Sequence, residues 1–153
     1  MTEDLIIFYS RTGSTRTVAE KLKELLDCDI IEITDKKPRR GFLKAIGCSI
    51  DAIKKNLTDI EYNKKDLKKY NRIFIMTPIW ASNIPPAIRT FLTLEKSDIL
   101  NYKLILTYKG SDINKPIKEI SEILDTYPSN TFDIIHKDIK SGSFMLNLNG
   151  MTK

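Results

Sequence analysis

The sequence predicts an α/β fold built on a doubly wound parallel sheet. Strand-like apolar segments alternate with helical patterns, and a strand is followed by a helix four times along the chain. Two of the apolar runs, residues 73–76 and 104–106, are continuous, as is typical of central parallel strands that helices cover on both faces. An alternation of this kind produces right-handed crossovers, with helices on the two faces of one sheet.

The individual elements follow from hydrophobic periodicity. The first helix carries Val18, Leu22 and Leu25 in one apolar stripe, with Ala19 and Leu26 beside them. The predicted strands are residues 4–9, 29–33, 72–76, 103–108 and 131–136. The predicted helices are residues 14–26, 41–56, 85–94 and 114–124, and two consecutive prolines suit the first turn of the third.

Length and composition predict one domain spanning residues 1–153. A chain of this size forms one sizeable core and is too short for two. No apolar run approaches about 18 residues, so no membrane span is predicted. The acidic N-terminus leads directly into a strand, which argues against a secretory signal. Because Cys28, Cys48 and the single histidine form neither a disulfide framework nor a metal site, we expect a reducing cytoplasm and no metal.

The C-terminal segment departs from the alternating pattern. Residues 137–153 contain no helical period of adequate length, although a fifth helix is needed to cover the sheet beside the first one. The sequence therefore predicts that this fifth helix is missing or truncated, and that either an extra strand or a partner covers the gap. Because an exposed apolar face drives association, we expect a homo-oligomer through this face.

The net charge of +5 is concentrated in one part of the chain. Residues 36–76, which we call the basic block, contain twelve lysines and arginines and four acidic residues. Residues 1–35 contain four lysines and arginines and eight acidic residues. The favoured interpretation is a solvated helix face and loop. A docking surface for an acidic protein is the second interpretation, and a nucleic-acid footprint is the least favoured, so no nucleic-acid partner is predicted.

The loop after the first strand predicts an anion site. Ser10, Thr12, Ser14 and Thr15 place four hydroxyls between this strand and the first helix, and Gly13 lets the backbone approach a ligand closely. The first N–H groups of a helix lack internal partners and carry the positive end of its dipole. This arrangement favours a single phosphate group. The loop lacks the Gly-Lys-Ser/Thr ending of nucleotide triphosphatases, which argues against that activity.

Two further loops leave the carboxyl ends of strands, where open parallel sheets bind their ligands. One contains Trp80, the only tryptophan, which either forms a wall for a flat aromatic ring or packs over the edge of the core. The other offers Tyr108 as a second aromatic, with Gly110 and Ser111 supplying accessible backbone N–H groups. One phosphate site and two aromatic walls imply a flat, monophosphorylated cofactor.

Three segments resemble flavodoxin-like proteins, in the same order along the chain. Residues 9–19 (Tyr-Ser-Arg-Thr-Gly-Ser-Thr-Arg-Thr-Val-Ala) are similar to the phosphate loop and first helix of that family. Residues 77–80 and 84–92 are similar to its flavin-flanking loop and third helix, and residues 41–53 resemble the second helix of a prokaryotic subgroup. The resemblance covers about residues 4–110. It implies a five-stranded sheet in the order 2-1-3-4-5 and FMN bound without a covalent link.

The resemblance also implies which residues surround FMN. Those that would hold the phosphate are Ser10, Arg11, Thr12, Gly13, Ser14 and Thr15. Those on one side of the ring are Thr77, Pro78, Ile79 and Trp80, with Asn83 in the same loop, and those on the other side are Tyr108, Lys109, Gly110 and Asp112. Arg11 would either pair with the phosphate or point to water. Lys109 would either approach the ring and raise its reduction potential or remain solvated.

The implied function is electron transfer. In a flavodoxin-like carrier the flavin performs the chemistry and no side chain acts as acid, base or nucleophile, so no catalytic residue is predicted. Redox proteins are the implied partners, with acidic ones docking on the basic block. Two alternatives remain open. One is an FMN-dependent NAD(P)H:quinone-type reductase, and the other is a flavin-free docking module.

Overall fold

The computed structural model, which describes residues 3–152, places six strands in one sheet. The strands are β1 (Asp4–Tyr9), β2 (Asp29–Asp35), β3 (Ile60–Glu61), β4 (Arg72–Pro78), β5 (Tyr102–Tyr108) and β6 (Asn130–Ile135). Their order is β3-β2-β1-β4-β5-β6, with β3 antiparallel to β2 and all other pairs parallel. The five parallel strands have the predicted order, which is therefore confirmed. The sixth strand, β3, is an addition of two residues at the edge.

Helices cover both faces of this sheet. They are α1 (Ser14–Leu26), α2 (Phe42–Ile53), α3 (Pro86–Glu95), α4 (Asn114–Leu124), α5 (His136–Ser141) and α6 (Met145–Met151). The bounds of α1 and α4 agree with the prediction, whereas α2 is three residues shorter at its C-terminal end. None of the helices in the described part of the chain has the length and apolar content needed to span a bilayer.

The alternating side chains of β1 divide the core into two layers. Leu5 and Ile7 point to the layer that α3 and α4 cover, whereas Ile6 and Phe8 point to the layer that α1 covers. All four side chains are almost completely buried. A strand covered on both faces buries side chains of both orientations, which is why the centres of β4 and β5 were recognisable as continuous apolar runs.

As predicted, no full-length fifth helix follows β6 within residues 3–152, but the segment is helical in two short pieces. Two short helices, α5 and α6, follow β6, and Ile139, Phe144 and Leu148 from this segment pack in one apolar cluster with α1. Gly142 separates the two helices with a left-handed φ of 82°. Neither helix is long enough to show a helical period. These helices cover the sheet face beside α1 in place of the extra strand that the sequence also allowed, and a homo-oligomer stays a prediction.

A buried ion pair joins the elements on the opposite face. The Nε atom of Arg89 in α3 lies 2.7 Å from Oε1 of Glu119 in α4, and both side chains are buried. The same guanidinium donates hydrogen bonds to the carbonyl oxygens of Ala52, Asn56 and Ile84. Arg89 thereby fastens the C-terminal end of α2 and the loop after β4 to the body of the protein.

Candidate functional site

The loops that follow β1, β4 and β5 meet at one edge of the sheet and enclose a cavity of about 280 Å³. Ten of the predicted site residues line it: Ser10, Arg11, Thr12, Ser14, Thr15, Pro78, Ile79, Trp80, Tyr108 and Lys109. Seven further residues complete the wall: Ala45, Cys48, Ser49, Ala81, Thr107, Ser111 and His136. The carboxyl ends of parallel strands therefore form the site, as expected for an open α/β sheet.

The first loop keeps the N-terminus of α1 open toward the cavity. Gly13 precedes the helix with φ 103°, a left-handed conformation that glycine adopts without strain. Its N–H donates to Ser10 Oγ over 3.1 Å, and no side chain caps the helix. The N–H groups of the first turn therefore remain available for an anion, and the hydroxyls of Thr12 and Ser14 line the cavity beside them.

Thr15 differs from the other hydroxyl residues of this loop. Its side chain is buried, and its Oγ1 atom lies 2.8 Å from Oγ1 of Thr107, at the end of β5. The two hydroxyls share one hydrogen bond, so Thr15 connects α1 to the sheet. Arg11 is also tethered, since its guanidinium donates to the carbonyl oxygen of Arg39 over 3.3 Å. The Arg11 side chain thus lies along the cavity wall, against the segment that precedes α2.

Trp80 is held in place by a tight turn. The backbone groups of Trp80 and Asn83 exchange two hydrogen bonds of 2.9 Å. Between them, Ala81 and Ser82 adopt left-handed φ values of 48° and 60°. This is the backbone form of a type I′ turn, which favours asparagine and glycine. A left-handed residue with a side chain costs about 1–2 kcal/mol, so the loop contains local strain next to the cavity.

The inner side of the Trp80 ring contacts two further residues. The Tyr9 ring lies edge-on to it, with 5.7 Å between the centroids, and the Arg39 guanidinium carbon lies 5.9 Å from its centroid. Trp80 is half-buried and packs against the core cluster while it lines the cavity. Trp80 thus packs over the edge of the core, as one interpretation had it, and its place in the cavity wall leaves its contact with a flat ring a prediction.

Arg39 is itself held by carboxylates. Its Nε atom lies 2.7 Å from Asp35, and its guanidinium also pairs with Asp51 of α2, which Lys37 contacts at 2.7 Å. Burial opposes the charge of Arg39, but the hydrogen bonds that its guanidinium donates to Asp51 and Asp35 outweigh burial and raise its pKa. The hydrogen bond from Lys37 lowers the pKa of Asp51, and burial raises that of the Tyr9 hydroxyl. Arg39 and Asp51 behind Trp80 are therefore both charged, and Tyr9 is neutral.

The third loop contributes fewer side chains than the sequence predicted. Tyr108 lines the cavity and donates from its hydroxyl to Asp133 over 2.9 Å, a bond that raises its pKa. Lys109 is exposed at the rim. Asp112 lies outside the cavity wall, where its N–H donates to Ser82 and its carboxylate accepts from the N–H of Asn114. Asp112 therefore ties the third loop to the turn beside Trp80.

Four other predicted residues also lie outside the cavity wall. Gly13 and Gly110 supply left-handed backbone with φ 103° and 142°. Thr77 is completely buried and donates to the carbonyl oxygen of its neighbour Pro78. Asn83 is also completely buried, and its side-chain oxygen has no hydrogen-bond partner in the described part of the chain. These residues shape the loops rather than provide side chains to the cavity.

His136 is a wall residue that the sequence did not reveal. It begins α5 directly after β6, and it is half-buried. Burial lowers the pKa of its imidazole, and the charges of Lys109 and Lys140 lower it further. His136 is therefore neutral at pH 7. No local motif marks it, because only the pairing of β6 beside β5 brings it to the cavity.

Comparisons with known proteins agree with this architecture. A family model described as Flavodoxin matches residues 3–139. A flavoprotein from Lactobacillus acidophilus NCFM, solved in complex with FMN, is similar with a TM-score of 0.77 and 21% identity over 94% of this chain and 99% of the other. A provisionally assigned flavoprotein from Bacteroides eggerthii DSM 20697 has a TM-score of 0.72 and 20% identity, over 96% and 99% of the two chains. No curated protein matches.

Proposed function

This chain belongs to the flavodoxin family, and we propose on that basis that it binds FMN in the cavity and carries electrons between redox proteins. One observation carries the proposal. The open N-terminus of α1 and the rings of Trp80 and Tyr108 line the same cavity. FMN has a single phosphate at one end and a flat ring system at the other, so its two parts match these two features.

The chemistry of the donor set fits this cofactor. The Thr12 and Ser14 hydroxyls and the N–H groups of the first turn of α1 would hold the phosphate, since helix N-termini with free N–H groups bind such anions. Trp80 and Tyr108 would flank the ring, and Ile79 would exclude water from it. When bound, the flavin supplies the electron transfer, and the protein binds, orients and shields it. With two buried cysteines free of a disulfide, the proposed setting is the cytoplasm.

The alternative activity, an NAD(P)H:quinone-type reductase, has one specific observation in its favour. A second concavity of about 320 Å³ adjoins the first and shares Ser10 and Arg11 with it. The cations along this concavity are Arg11, Arg16, Lys37, Arg39, Arg40 and Lys44, against the carboxylates of Glu32 and Asp35. A surplus of cations suits the phosphates of a nicotinamide dinucleotide. Measuring NADPH oxidation with a quinone acceptor distinguishes this reductase from a carrier.

The experiment that tests the main proposal compares FMN with riboflavin, which lacks the phosphate. We expect the purified protein to bind FMN stoichiometrically in a fluorescence titration, and riboflavin at least tenfold more weakly. The Thr12→Val variant should lose FMN affinity by about 1.5–3 kcal/mol, the range for a hydrogen bond to a charged group, and should bind riboflavin unchanged. Equal affinities for the two flavins would contradict the assigned phosphate site. If neither flavin bound, the proposed function would be refuted and the flavin-free docking module would be the remaining interpretation.

A further inference from the structure

Helix α2 presents four large aliphatic side chains to solvent. Leu43, Ile46, Ile50 and Ile53 are 80%, 52%, 46% and 55% exposed, and we call this set the α2 stripe. At about 100° per residue, the four positions fall within an arc of roughly 80° on the helix. Leu57, 59% exposed, follows shortly after the helix ends. Clustered aliphatic side chains of this kind mark interaction sites on the surface of a protein.

The stripe is not needed to pack α2 on the protein. Among the α2 residues whose side chains the structure describes, Cys48 and Ala52 are buried and Ala45 and Ser49 are partly buried, and all four are small. A helix that serves only the fold buries its large apolar side chains and exposes its small or polar ones. In α2 this distribution is reversed. The rest of the described chain therefore leaves the apolar stripe exposed.

The stripe lies next to the proposed flavin site. Ala45, Cys48 and Ser49 form part of the cavity wall, so the same two turns of helix border the cavity on one side and carry the stripe on another. A protein that docks on the stripe is consequently brought to the cavity. Electron transfer requires such an approach, and in this respect the inference rests on the proposed function.

Positively charged side chains lie at both ends of the stripe. Arg40 and Lys44 lie at the beginning of α2, and Lys54 and Lys55 follow its last residue. Across residues 3–152, the ion pairs of the structure include none of these four side chains. The carboxylate of the helix itself, Asp51, is already neutralised by Lys37 and Arg39. The two ends of the stripe therefore carry four cations that no ion pair within residues 3–152 engages.

We propose that the α2 stripe and its four cations form the docking site for an acidic redox protein, which contributes an apolar strip flanked by carboxylates. Charge complementarity selects this occupant. In a symmetric pair of two copies, antiparallel α2 helices would set Arg40 and Lys44 of one copy against Lys54 and Lys55 of the other, so like charges would oppose association. An acidic partner instead places its carboxylates at both ends while the aliphatic side chains bury one another.

The test uses the FMN-loaded protein and a reduced acidic ferredoxin as the probe, with electron transfer followed by stopped-flow absorbance. We expect the bimolecular rate to fall steeply as salt rises. It should drop at least tenfold in the Ile46→Ser/Ile50→Ser double variant and in Lys54→Glu/Lys55→Glu. Leu100→Ser, at a site 77% exposed outside α2, and Lys23→Glu on α1 are the matched controls and should keep the wild-type rate.

Reduction by dithionite provides the readout that separates docking from cofactor binding. Dithionite should reduce the flavin at the same rate in all variants. If the protein bound no FMN, there would be no flavin signal, and the proposed function would be refuted rather than the docking proposal. The docking proposal is overturned by a ferredoxin rate that is insensitive to salt or by equal losses in stripe and control variants. It is also overturned by stripe-dependent dimers in sedimentation, or by stripe-dependent binding to vesicles containing phosphatidylserine.

Discussion

The side-chain hydroxyls of Thr15 and Thr107 lie 2.8 Å apart and join the first turn of α1 to the end of β5. Both residues are buried, with 1% and 0% of their surface exposed. The shared hydrogen bond therefore has no competition from water, and it fixes the start of the helix relative to the strand that carries Tyr108. The distance between the proposed phosphate site and the third loop depends on this contact.

The Thr15→Val substitution tests the strength of that contact. It leaves the buried Thr107 hydroxyl without a partner, so the free energy of unfolding should fall by about 1–3 kcal/mol. Thr107→Val should have a similar effect, whereas the double variant should lose less than the sum, because neither hydroxyl is then left unsatisfied. Urea denaturation of the four proteins measures this coupling. Strictly additive losses would show that the two hydroxyls do not interact.

The Arg89→Met substitution should be among the most destabilising in the protein. It would leave the buried Glu119 carboxylate without its cation, and breaking a buried pair in this way costs about 3–5 kcal/mol. It would also release Ala52 and Ile84, so the stripe helix and the loop of Trp80 should become more mobile. Thermal unfolding measures the loss. Adding Glu119→Leu should recover much of it, and a double variant no more stable than the single one would contradict this account.

His136 should make stability depend on pH below its ordinary pKa of 6.5. Its pKa in the folded protein is lowered, so between that value and 6.5 the unfolded chain binds more protons than the folded one. Stability is consequently lost as pH falls through this window, and it is independent of His136 at higher pH. His136→Asn should reduce this acid-side loss in unfolding experiments from pH 8 to pH 5. An identical pH profile for the variant would refute the assignment.

Lys109 should tune the reduction potential of the bound flavin. Its ammonium lies at the rim of the cavity, and a positive charge there stabilises an anionic reduced ring. Lys109→Gln should lower the midpoint potential by on the order of 30 mV, less at high salt because an exposed charge is screened. Lys23→Gln, on α1, is the control. A potential that does not change would identify Lys109 as a solvated side chain without influence on the ring.

Much of the site was predictable because it depends on local signals. The hydroxyl-rich loop before α1 and the proline-bounded loop around Trp80 are continuous in sequence, and both line the cavity. Other parts could not be predicted. The helices after β6 are too short for a periodic pattern, and β3 consists of two residues. His136 reaches the cavity only because β6 pairs with β5.

The parallel sheet and the three loops at its carboxyl edge can be derived from the sequence, because burial on both faces requires continuous apolar runs and open loops require turn residues. Which polar groups meet depends on the tertiary structure. Thr15 and Thr107 are 92 residues apart in the chain, and Arg89 and Glu119 are 30 apart. Such contacts depend on strand register and helix packing, which no local pattern records. The same packing turned the small residues of α2 inward and left its aliphatic stripe exposed.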